Sequence, residues 1–545
     1  MRHPTMSTRS LSQISFFDPS FLAPDCLVPG TVAWLLATVG EKLFPAWLAS
    51  GWRGSGRRGR KAWPARVLIG LLVLRWSEEG MSRLASCERL AVDIRWRAAL
   101  GLLIGAPTPS ERTMRDFEAF LRERHAETGV LRHVLLHEHV VRLCLDAGVA
   151  KGAQWAADST PMWCYGAVQD TVRLLGDGLR AAGRWFAQAT DTSRVALAEA
   201  WNLPLLLSKS TKGYFHLDWR DPEARGKAVG ELAEAAARVA ETVGSTANLG
   251  KSYAGRRAME LCRTLVRVVA QDVEVGADGR WVIARRVVED RIVSLTDTQA
   301  RHGRKTRSVS FEGFKLHVLG DLVGGLIASV SVAGANVADN APMHRLVARA
   351  QRAGAKIDRL LADTAYGSAR DRVWALGVAG VAVIAPVPAT SRASTKHRKE
   401  AFSIDFDAQT ATCPAGVTTR NRTAVKADDI EGLAVAYRWP AAACTACPLR
   451  EACCDRDRSG RRLVLHPYEK ELRATREAWA DPALRAEYRD RSRFERLNHQ
   501  LTRHGARQAR AWGLAAANLQ AHAIAMRCNL QLLAETFAAK EQVAA

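Results

Sequence analysis

Two short apolar segments of this chain each lead to an aspartate, and their order along the sequence constrains the fold more than any other feature. Asp158 closes the segment AQWAAD, and Asp363 closes IDRLLAD. Between them stand two strand-like segments, FKLHVLGD and GLIASVSVAG, which meet at a turn, and then the helical segment MHRLVARAQRAG. With VAVIAPV as a fifth strand, this order predicts a mixed α/β sheet that carries an Asp at or just past the end of two strands.

A third carboxylate lies in a predicted helix, DPALRAEYRDRSRFERLNHQLTRHG, with Asp481 as its N-cap and Pro482 as its first residue. Tyr488, Arg491 and Glu495 fall at i, i+3 and i+7 and share one face of this helix. Alone, the Arg and the Glu predict only a helix salt bridge of about 0.3–0.5 kcal/mol. Together with two strand aspartates, however, the Glu completes a set that can hold divalent metal ions for phosphoryl transfer.

The composition favours a polyanionic partner. The 545 residues carry 78 Lys and Arg against 56 Asp and Glu, a formal charge of +22 that attracts nucleic acid. An Arg-rich composition from a GC-rich genome, or association with ribosomes, would give the same balance. Hydrophobic residues at 48% indicate a globular chain, and the length predicts roughly two to four domains.

No targeting or membrane segment is predicted. The N-terminus MRHPTMSTRSLSQ has no apolar stretch, and the apolar run VLIGLLVL is too short to span a bilayer. We therefore expect a cytoplasmic protein with no membrane partner. In that compartment its 11 cysteines are metal ligands or free thiols rather than disulfides.

Five of the cysteines cluster around the sequence CTACPLREACC, and their spacing predicts a structural zinc site. The predicted ligands are Cys413, Cys444, Cys447 and Cys453, with Cys454 as the rival for the fourth position. The alternatives are a set of reduced free thiols or, with less to support it, an iron–sulfur cluster.

The chain divides into a series of predicted parts. They are a leader at 1–30, a helical domain at 31–149, an α/β core at 150–400 with a helical insertion at about 165–290, a cysteine-rich element at 401–470, and a helical segment at 471–545 that carries Glu495. The helical domain is either a DNA reader or a dimerisation and packing module. Within it, Arg57, Arg58 and Arg60 of the loop WRGSGRRGRKAW lie along phosphates or form a solvated linker.

The motifs, taken as an ordered set, resemble those of DDE transposases from bacterial insertion sequences. The family's Y-x2-R-x3-E motif matches Tyr488, Arg491 and Glu495, and its two aspartates match ADST and LADTAYGS. Its G-[YF]-K-x-H strand and N-x-x-D element are matched by Gly313, Phe314, Lys315, His317, Asn336 and Asp339. The cysteine pattern is similar to that of a cysteine-bearing branch of the family. The resemblance spans nearly the whole chain except the insertion.

The chain departs from the family pattern in two places. Thr502 stands where relatives often have a Lys after the Glu, and its neighbour Arg503 would take over that role. Many relatives have the sequence D-P-D-A-R before the G-x-K-x-H strand. Of its charged positions only Asp297 and Arg301 survive here, so a functional role for this segment has no support.

The resemblance implies a ribonuclease H-like catalytic core and the cleavage and strand transfer of DNA. The implied catalytic residues are Asp158, Asp363 and Glu495 around Mg²⁺ or Mn²⁺, with Asp158 shared between two ions. The implied phosphate contacts are Lys315, His317, Tyr488, Arg491 and Arg503. The implied partners are double-stranded DNA, both the terminal inverted repeats and the target, and a homodimer or higher oligomer on DNA, associated with the bacterial nucleoid. Two other functions are compatible with the sequence: a metal-dependent nuclease that does not join strands, and a non-catalytic DNA-binding protein derived from a mobile element.

Overall fold

A bundle of α-helices precedes the sheet. The computed structural model describes residues 17–19, 23–52, 62–78, 80–150, 154–276, 279, 281–285, 288–306, 308–387, 396–427, 430–454 and 460–544. The bundle comprises α1 (Val32–Leu43), α2 (Ala65–Arg75), α3 (Arg83–Val92), α4 (Ile94–Leu100), α5 (Glu111–Leu121) and α6 (Arg132–Asp146). Thr31, Ser82 and Ser110 cap α1, α3 and α5 with their side-chain oxygens. The chain breaks between α3 and α4 at Asp93, because its carboxylate caps α4.

The first strand of the main sheet is followed by a helical unit. That strand is β1 (Gln154–Trp163), and the unit comprises α7 (Thr171–Thr190), α8 (Arg194–Ala200), α9 (Thr211–Phe215), α10 (Pro222–Ser245), α11 (Tyr253–Asp272), β2 (Val273–Val275) and β3 (Trp281–Ile283). Asp221 caps α10 and Pro222 is its first residue, as the sequence predicts. The unit buries an apolar cluster of its own, which includes Leu179, Leu232 and Leu265. We call α7–α11 with β2 and β3 the helical insertion.

The rest of the main sheet comes from the chain after the insertion. Its elements are β4 (Arg301–Arg304), β5 (Ser310–Asp321), β6 (Ile327–Gly334), α12 (Met343–Arg352), β7 (Arg359–Ala362), α13 (Ala369–Ala379) and β8 (Ala382–Ile384). The strand order is β6–β5–β1–β7–β8, and β4 pairs with the first residues of β5. β5 is antiparallel to β1 and β6, whereas β1, β7 and β8 are parallel. The five strands, the hairpin and the intervening helix that the sequence predicts are all present.

Two small antiparallel sheets, with one short helix before the last strand, and four further helices complete the described chain. The sheets contain β9 (Ser403–Asp405), β10 (Thr410–Thr412), β11 (Thr418–Thr419), β12 (Arg422–Ala427), β13 (Ile430–Arg438) and β14 (Arg462–Leu465), with α14 (Ala441–Thr445) before β14. The helices are α15 (Glu469–Ala478), α16 (Pro482–Arg489), α17 (Phe494–Arg503) and α18 (Leu514–Ala544). α18 packs on α6 and β6, and its apolar residues join the bundle and the sheet in one core. None of the described helices has the length and apolar character needed to cross a bilayer.

Candidate active site

The two strand aspartates are neighbours in the sheet. β1 and β7 are paired through Ala157 and Ala362, so Asp158 and Asp363 are the next residues of two adjacent parallel strands. β7 ends there, whereas β1 continues along its antiparallel partner β5 to Trp163. Asp158 therefore lies in the middle of its strand rather than at or just past the strand end, because the pairing with β5 extends β1 beyond the parallel ladder.

Asp363 begins a turn instead of continuing a strand. Its Oδ1 accepts hydrogen bonds from the amides of Ala365 and Tyr366 at 3.0 and 3.3 Å. This capping holds the carboxylate at the carboxyl end of β7, the end of parallel strands at which ligands are commonly bound.

The carboxylate helix of the sequence analysis is divided in the structure. Asp481 caps α16 and Pro482 is its first residue, as predicted. However, 490–493 tightens into a 3-10 turn before α17 begins at Phe494. The one continuous helical face expected for Tyr488, Arg491 and Glu495 is therefore replaced by three successive pieces. The backbone remains right-handed throughout, so Glu495 still follows Arg491 closely.

One pocket of about 230 Å³ brings the three carboxylates together. It is lined by Asp158, Ser159, Thr160, Pro161, Arg304, Lys305, Phe311, Lys315, Asp339, Asp363, Glu495, Asn498 and Arg507. Four carboxylates and four cationic side chains thus share one concave surface. We call it the carboxylate pocket.

Arg491 ties the divided helix to the sheet. Its Nη1 donates to Oδ2 of Asp158 at 2.8 Å, across 333 residues of sequence. Burial raises the pKa of Asp158, and the negative charge of Asp363 adds to this, while the Ser159 amide and Arg491 act in the opposite direction. The net pKa shift is upward, so Asp158 lies where negative charge is crowded and desolvated.

A second network supports the floor of the pocket. Lys315 lies 3.1 Å from Oδ1 of Asp339 and donates to the carbonyl of Val337 at 2.9 Å. Ser159 donates to the same Oδ1 of Asp339 at 2.9 Å. Asp339, known from the sequence only through the N-x-x-D resemblance, therefore holds Lys315 in the carboxylate pocket.

His317 is placed differently from the phosphate contact that the resemblance implies. Its side chain is fully buried beneath the sheet, 0% exposed, and its Nδ1 lies 3.1 Å from the hydroxyl of Tyr366. Burial lowers the pKa of His317 to about 4, so the ring is neutral at physiological pH. A buried neutral ring has no access to a phosphate from this position; its contact is with the tyrosine next to Asp363.

The other predicted phosphate contacts lie around the pocket or beyond it. Tyr488 packs edge-on against Trp479 at 5.0 Å, and the Arg491 guanidinium lies 5.9 Å from its ring centre. Arg503 ends α17 on the exposed surface and does not line the carboxylate pocket. Arg57, Arg58 and Arg60 lie outside the described residues, so their phosphate contact stays a prediction.

Sequence reasoning missed several residues that line the pocket, namely Arg304, Lys305, Asn498 and Arg507. Asn498 follows Glu495 by one helical turn, and its buried Oδ1 has no hydrogen-bond partner in the described part of the chain. The helical spacing of Asn498 from Glu495 was a usable signal. By contrast, Arg304 reaches the pocket only because β4 pairs with β5, which no local pattern reveals.

Within the described residues, no group of three or more His, Cys, Asp or Glu side chains is arranged so that it could hold a metal ion. The donor set of the carboxylate pocket nevertheless suits a hard divalent cation, since Asp158, Asp363 and Glu495 offer only oxygen atoms to one cavity. Arg491 engages Oδ2 of Asp158 in this arrangement, so it supplies the positive charge next to that carboxylate.

The predicted zinc cysteines also share a cavity. A second pocket of about 230 Å³ is lined by all five clustered cysteines together with His397 and Arg461. The amide of Arg461 donates to Sγ of Cys444 at 3.3 Å. Burial raises the pKa of Cys453 to about 11, with the Arg461 guanidinium opposing the shift. The sulfur atoms are therefore gathered in one place, but burial favours the thiol form in the absence of a bound cation.

Comparisons with known families match both ends of the chain. The model described as Transposase domain (DUF772) matches residues 39–119, which lie in the helical bundle. The model described as Transposase DDE domain matches residues 412–534, which include the clustered cysteines and the helix that carries Glu495. No curated protein and no solved structure gives a significant match. The two family matches, in the same chain and in this order, indicate a transposase and support a DDE transposase of the insertion-sequence type.

Proposed function

We propose that this transposase cleaves DNA at the ends of its insertion sequence and joins the exposed 3′-hydroxyl to a target strand by metal-dependent phosphoryl transfer. The observation that carries the proposal is the carboxylate pocket, in which Asp158, Asp363 and Glu495 meet cationic side chains. A DDE transposase domain implies catalysis with divalent metal in general. The finer assignment, of these three residues to Mg²⁺ or Mn²⁺, rests on their shared cavity and oxygen-only donors.

The order of the main sheet supports a ribonuclease H-like core. Three antiparallel strands, β6, β5 and β1, continue into the parallel strands β7 and β8. In sequence order these are the third, second, first, fourth and fifth strands of the predicted core, with the first Asp on the central strand. The domain boundaries at 31–149, 150–400, 401–470 and 471–545 are proposed on the same basis.

The residues at the pocket would have different roles in phosphoryl transfer. A divalent ion held by Asp158, Asp363 and Glu495 would supply positive charge and a more acidic water or 3′-hydroxyl. Lys315 lines the pocket, and Arg491 donates to Asp158, which also lines it. Both cations would orient the phosphate by charge-assisted hydrogen bonds. Buried His317 would keep Tyr366, and with it the turn of Asp363, in place.

The triad is tested by neutral replacement of each carboxylate. Asp158→Asn, Asp363→Asn and Glu495→Gln should each abolish cleavage of end-containing DNA while binding is largely kept, because binding rests on cationic side chains. Asp358→Asn, on the exposed surface just before β7, is the matched control and should cut normally. Cleavage retained in any triad variant would remove that residue from the site.

An assay of joined products tests strand transfer. Wild-type protein with Mg²⁺ should join a pre-cut end to a target duplex. Efficient cutting without joined product would instead favour the nuclease function. Binding without either product, in protein that is folded and loaded with metal, would favour the non-catalytic function. The same experiments on repeat-containing and random duplexes, with the size of the complex measured in solution, test the proposed DNA partners and the oligomer.

We also propose a structural zinc ion at the cysteine cluster. The common cavity of the five cysteines and the amide contact to Cys444 support it. Purified protein should hold about one zinc per chain. Cys447→Ser should lose the metal and stability, whereas Cys26→Ser, outside the cluster, should keep both. Comparing Cys453→Ser with Cys454→Ser would decide which is the fourth ligand, and folded wild-type protein without metal would leave the cluster as free thiols.

A further inference from the structure

We propose that the helical insertion carries a second DNA contact, a cationic pocket that binds phosphates of the DNA backbone. This inference rests on the proposed DNA substrate, but it concerns residues that share nothing with the carboxylate pocket. The cationic pocket has a volume of about 620 Å³. It is lined by Arg173, Asp177, Arg180, Arg184, Arg194, Lys209, Ser210, Thr211 and Lys212.

One wall of the cationic pocket is a face of α7. Arg173, Asp177, Arg180 and Arg184 follow one another at spacings of four, three and four residues, so they lie on one side of the helix. The opposite side of α7 is apolar and packs into the core of the insertion, for instance through Leu175 and Ala182. The cationic stripe is therefore held by a rigid helix.

The other wall is the segment 206–212, which is clamped to α7 by two glycines. A Cβ on Gly176 would clash with the side chain of Thr211, and a Cβ on Gly183 would come within 2.8 Å of Leu206. Arg180 reaches across and donates to the carbonyl of Lys209 at 3.1 Å. These close approaches fix Lys209 opposite the arginines, so the pocket exists before any ligand arrives.

The charge of the cationic pocket is poorly balanced by the protein. Six of its lining residues are Lys or Arg and one is an Asp. That carboxylate, Asp177, accepts hydrogen bonds from Thr211 at 2.7 Å and Arg180 at 3.2 Å. Lys212 is paired with Asp170 at 2.6 Å.

Two cations of the pocket remain available. In the described chain, no carboxylate lies within ion-pair distance of Arg184, Arg194 or Lys209, which all line the pocket. Arg194 donates to the carbonyl of Leu206, which leaves Arg184 and Lys209. Cations crowded together in this way repel one another, and an anion between them removes that cost.

Phosphate is the anion that suits this arrangement. Guanidinium groups on one helix face and an ammonium group opposite can each donate to the non-bridging oxygens of a phosphodiester. Contacts from these Lys and Arg side chains to phosphates carry no information about the bases, so the binding would be independent of DNA sequence. Gln169 bonds Asp177 at 2.9 Å and also receives the amide of Leu295. The cationic pocket is thereby anchored to the chain that returns to the catalytic sheet.

The test removes two cations whose loss should leave the fold intact. Arg184→Gln with Lys209→Gln is the pocket variant, since both side chains are exposed. Lys227→Gln with Arg238→Gln removes the same charge from exposed positions of α10 and is the control. Both are made in the full chain with Asp158→Asn added, and binding to random and to end-containing duplex DNA is measured across a range of salt concentrations. Because only binding is read, the outcome is independent of whether the carboxylates are catalytic.

We expect the pocket variant to flatten the slope of log affinity against log salt by roughly one to two units relative to the control, since each lost phosphate contact changes the slope by about 0.9. Affinity for both duplexes should fall by a similar factor. A slope equal to that of the control would overturn the proposal. Inorganic pyrophosphate provides a second test. If it raises the melting temperature of the parent but not of the pocket variant, while the two variants have equal salt slopes for DNA, the pocket binds a small phosphate ligand and the proposal is overturned.

Discussion

For single residues, the sequence indicated which carboxylates lie near one another but not which side chains contact them. Asp158 and Asp363 stand out in the sequence because each ends a short apolar segment, and the parallel pairing of β1 with β7 places them side by side, although β1 continues past Asp158. The contact between Arg491 and Asp158 could not, because the two residues are 333 positions apart and meet only when the divided helix docks on the sheet. His317 matched a motif but is buried, since its position in β5 points into the core.

Arg491 should matter for the rate of cleavage more than for DNA affinity. Arg491→Ala removes the cation beside Asp158 that we propose orients the phosphate, and the loss in single-turnover cleavage should be on the order of 100-fold. Arg491→Lys should recover part of the rate, because it restores the charge but not the planar fork. Arg489→Ala, on the exposed end of α16, is the control and should cleave normally. If Arg491→Ala cleaves like wild type, the contact with Asp158 is only structural.

Gly176 tests the clamp of the insertion. A methyl group at this position would clash with Thr211, so Gly176→Ala should lower the free energy of unfolding by about 1–3 kcal/mol. Gly244 lies in α10, and a Cβ added there would meet no atom within 4 Å, so Gly244→Ala should be neutral or stabilise by up to about 1 kcal/mol. Urea denaturation of both variants measures the difference, and equal stabilities would show that 206–212 is not clamped to α7.

At the scale of elements, the interface between α6 and α18 holds an unusual group of buried histidines. The Nδ1 atoms of His137 and His522 lie 3.0 Å apart, and His133 stacks edge-on against His522 at 5.0 Å. Burial lowers the pKa of His133 and His137 to about 4 and that of His522 well below its usual value. The charge of Arg349, from α12, acts in the same direction on all three. The packing of α18 therefore requires neutral imidazoles.

This group should make the fold sensitive to acid. A histidine with a lowered folded-state pKa contributes its full stability above the unfolded pKa of 6.5, and it loses that stability as pH falls toward about 4. Each such histidine steepens the loss by at most about 1.4 kcal/mol per pH unit. His522→Gln should give a shallower dependence of unfolding free energy on pH in this window, and His499→Gln, an exposed histidine of α17, should not. Identical pH profiles for His522→Gln and wild type would refute the argument.

The start of the carboxylate helix could be predicted from the sequence, whereas its division could not. The Asp-Pro pair predicted a helix with Asp481 as its N-cap and Pro482 as its first residue, which is confirmed. The 3-10 turn at 490–493 was not predictable from periodicity. Asp490 accepts from Gln154 at 3.1 Å and Arg491 donates to Asp158, and both are tertiary contacts with β1. Local sequence patterns indicate where the helix begins, whereas the 3-10 geometry of 490–493 accompanies contacts with the distant strand β1.

At the scale of the whole molecule, the helical insertion is a unit placed between two strands of one sheet. Its apolar cluster is separate from the core that joins the bundle, the main sheet and α18. Its two ends meet, because the amide of Gln169 donates to the carbonyl of Val293 at 3.0 Å. The interrupted order of strands in the sequence predicts an insertion at about 165–290. The sequence did not predict the cationic pocket, because the pocket forms between α7 and a segment that folds back on it.

Removing the insertion should therefore leave a folded sheet. Replacement of 170–291 by a short Gly-Ser linker joins chain ends that already share a hydrogen bond, so the entropic cost of closing the loop is small. We expect a cooperative thermal transition, retained cleavage at saturating DNA, and a salt slope flatter than that of the two-residue pocket variant, because all six cations are lost. If the insertion carried only solvent-exposed charges that do not contact DNA, the deletion and the pocket variant would have the same salt slope as the parent. The contrary outcome is a deletion variant that fails to fold. If Gly176→Ala then destabilises the insertion without affecting cleavage, the sheet needs the insertion for folding alone.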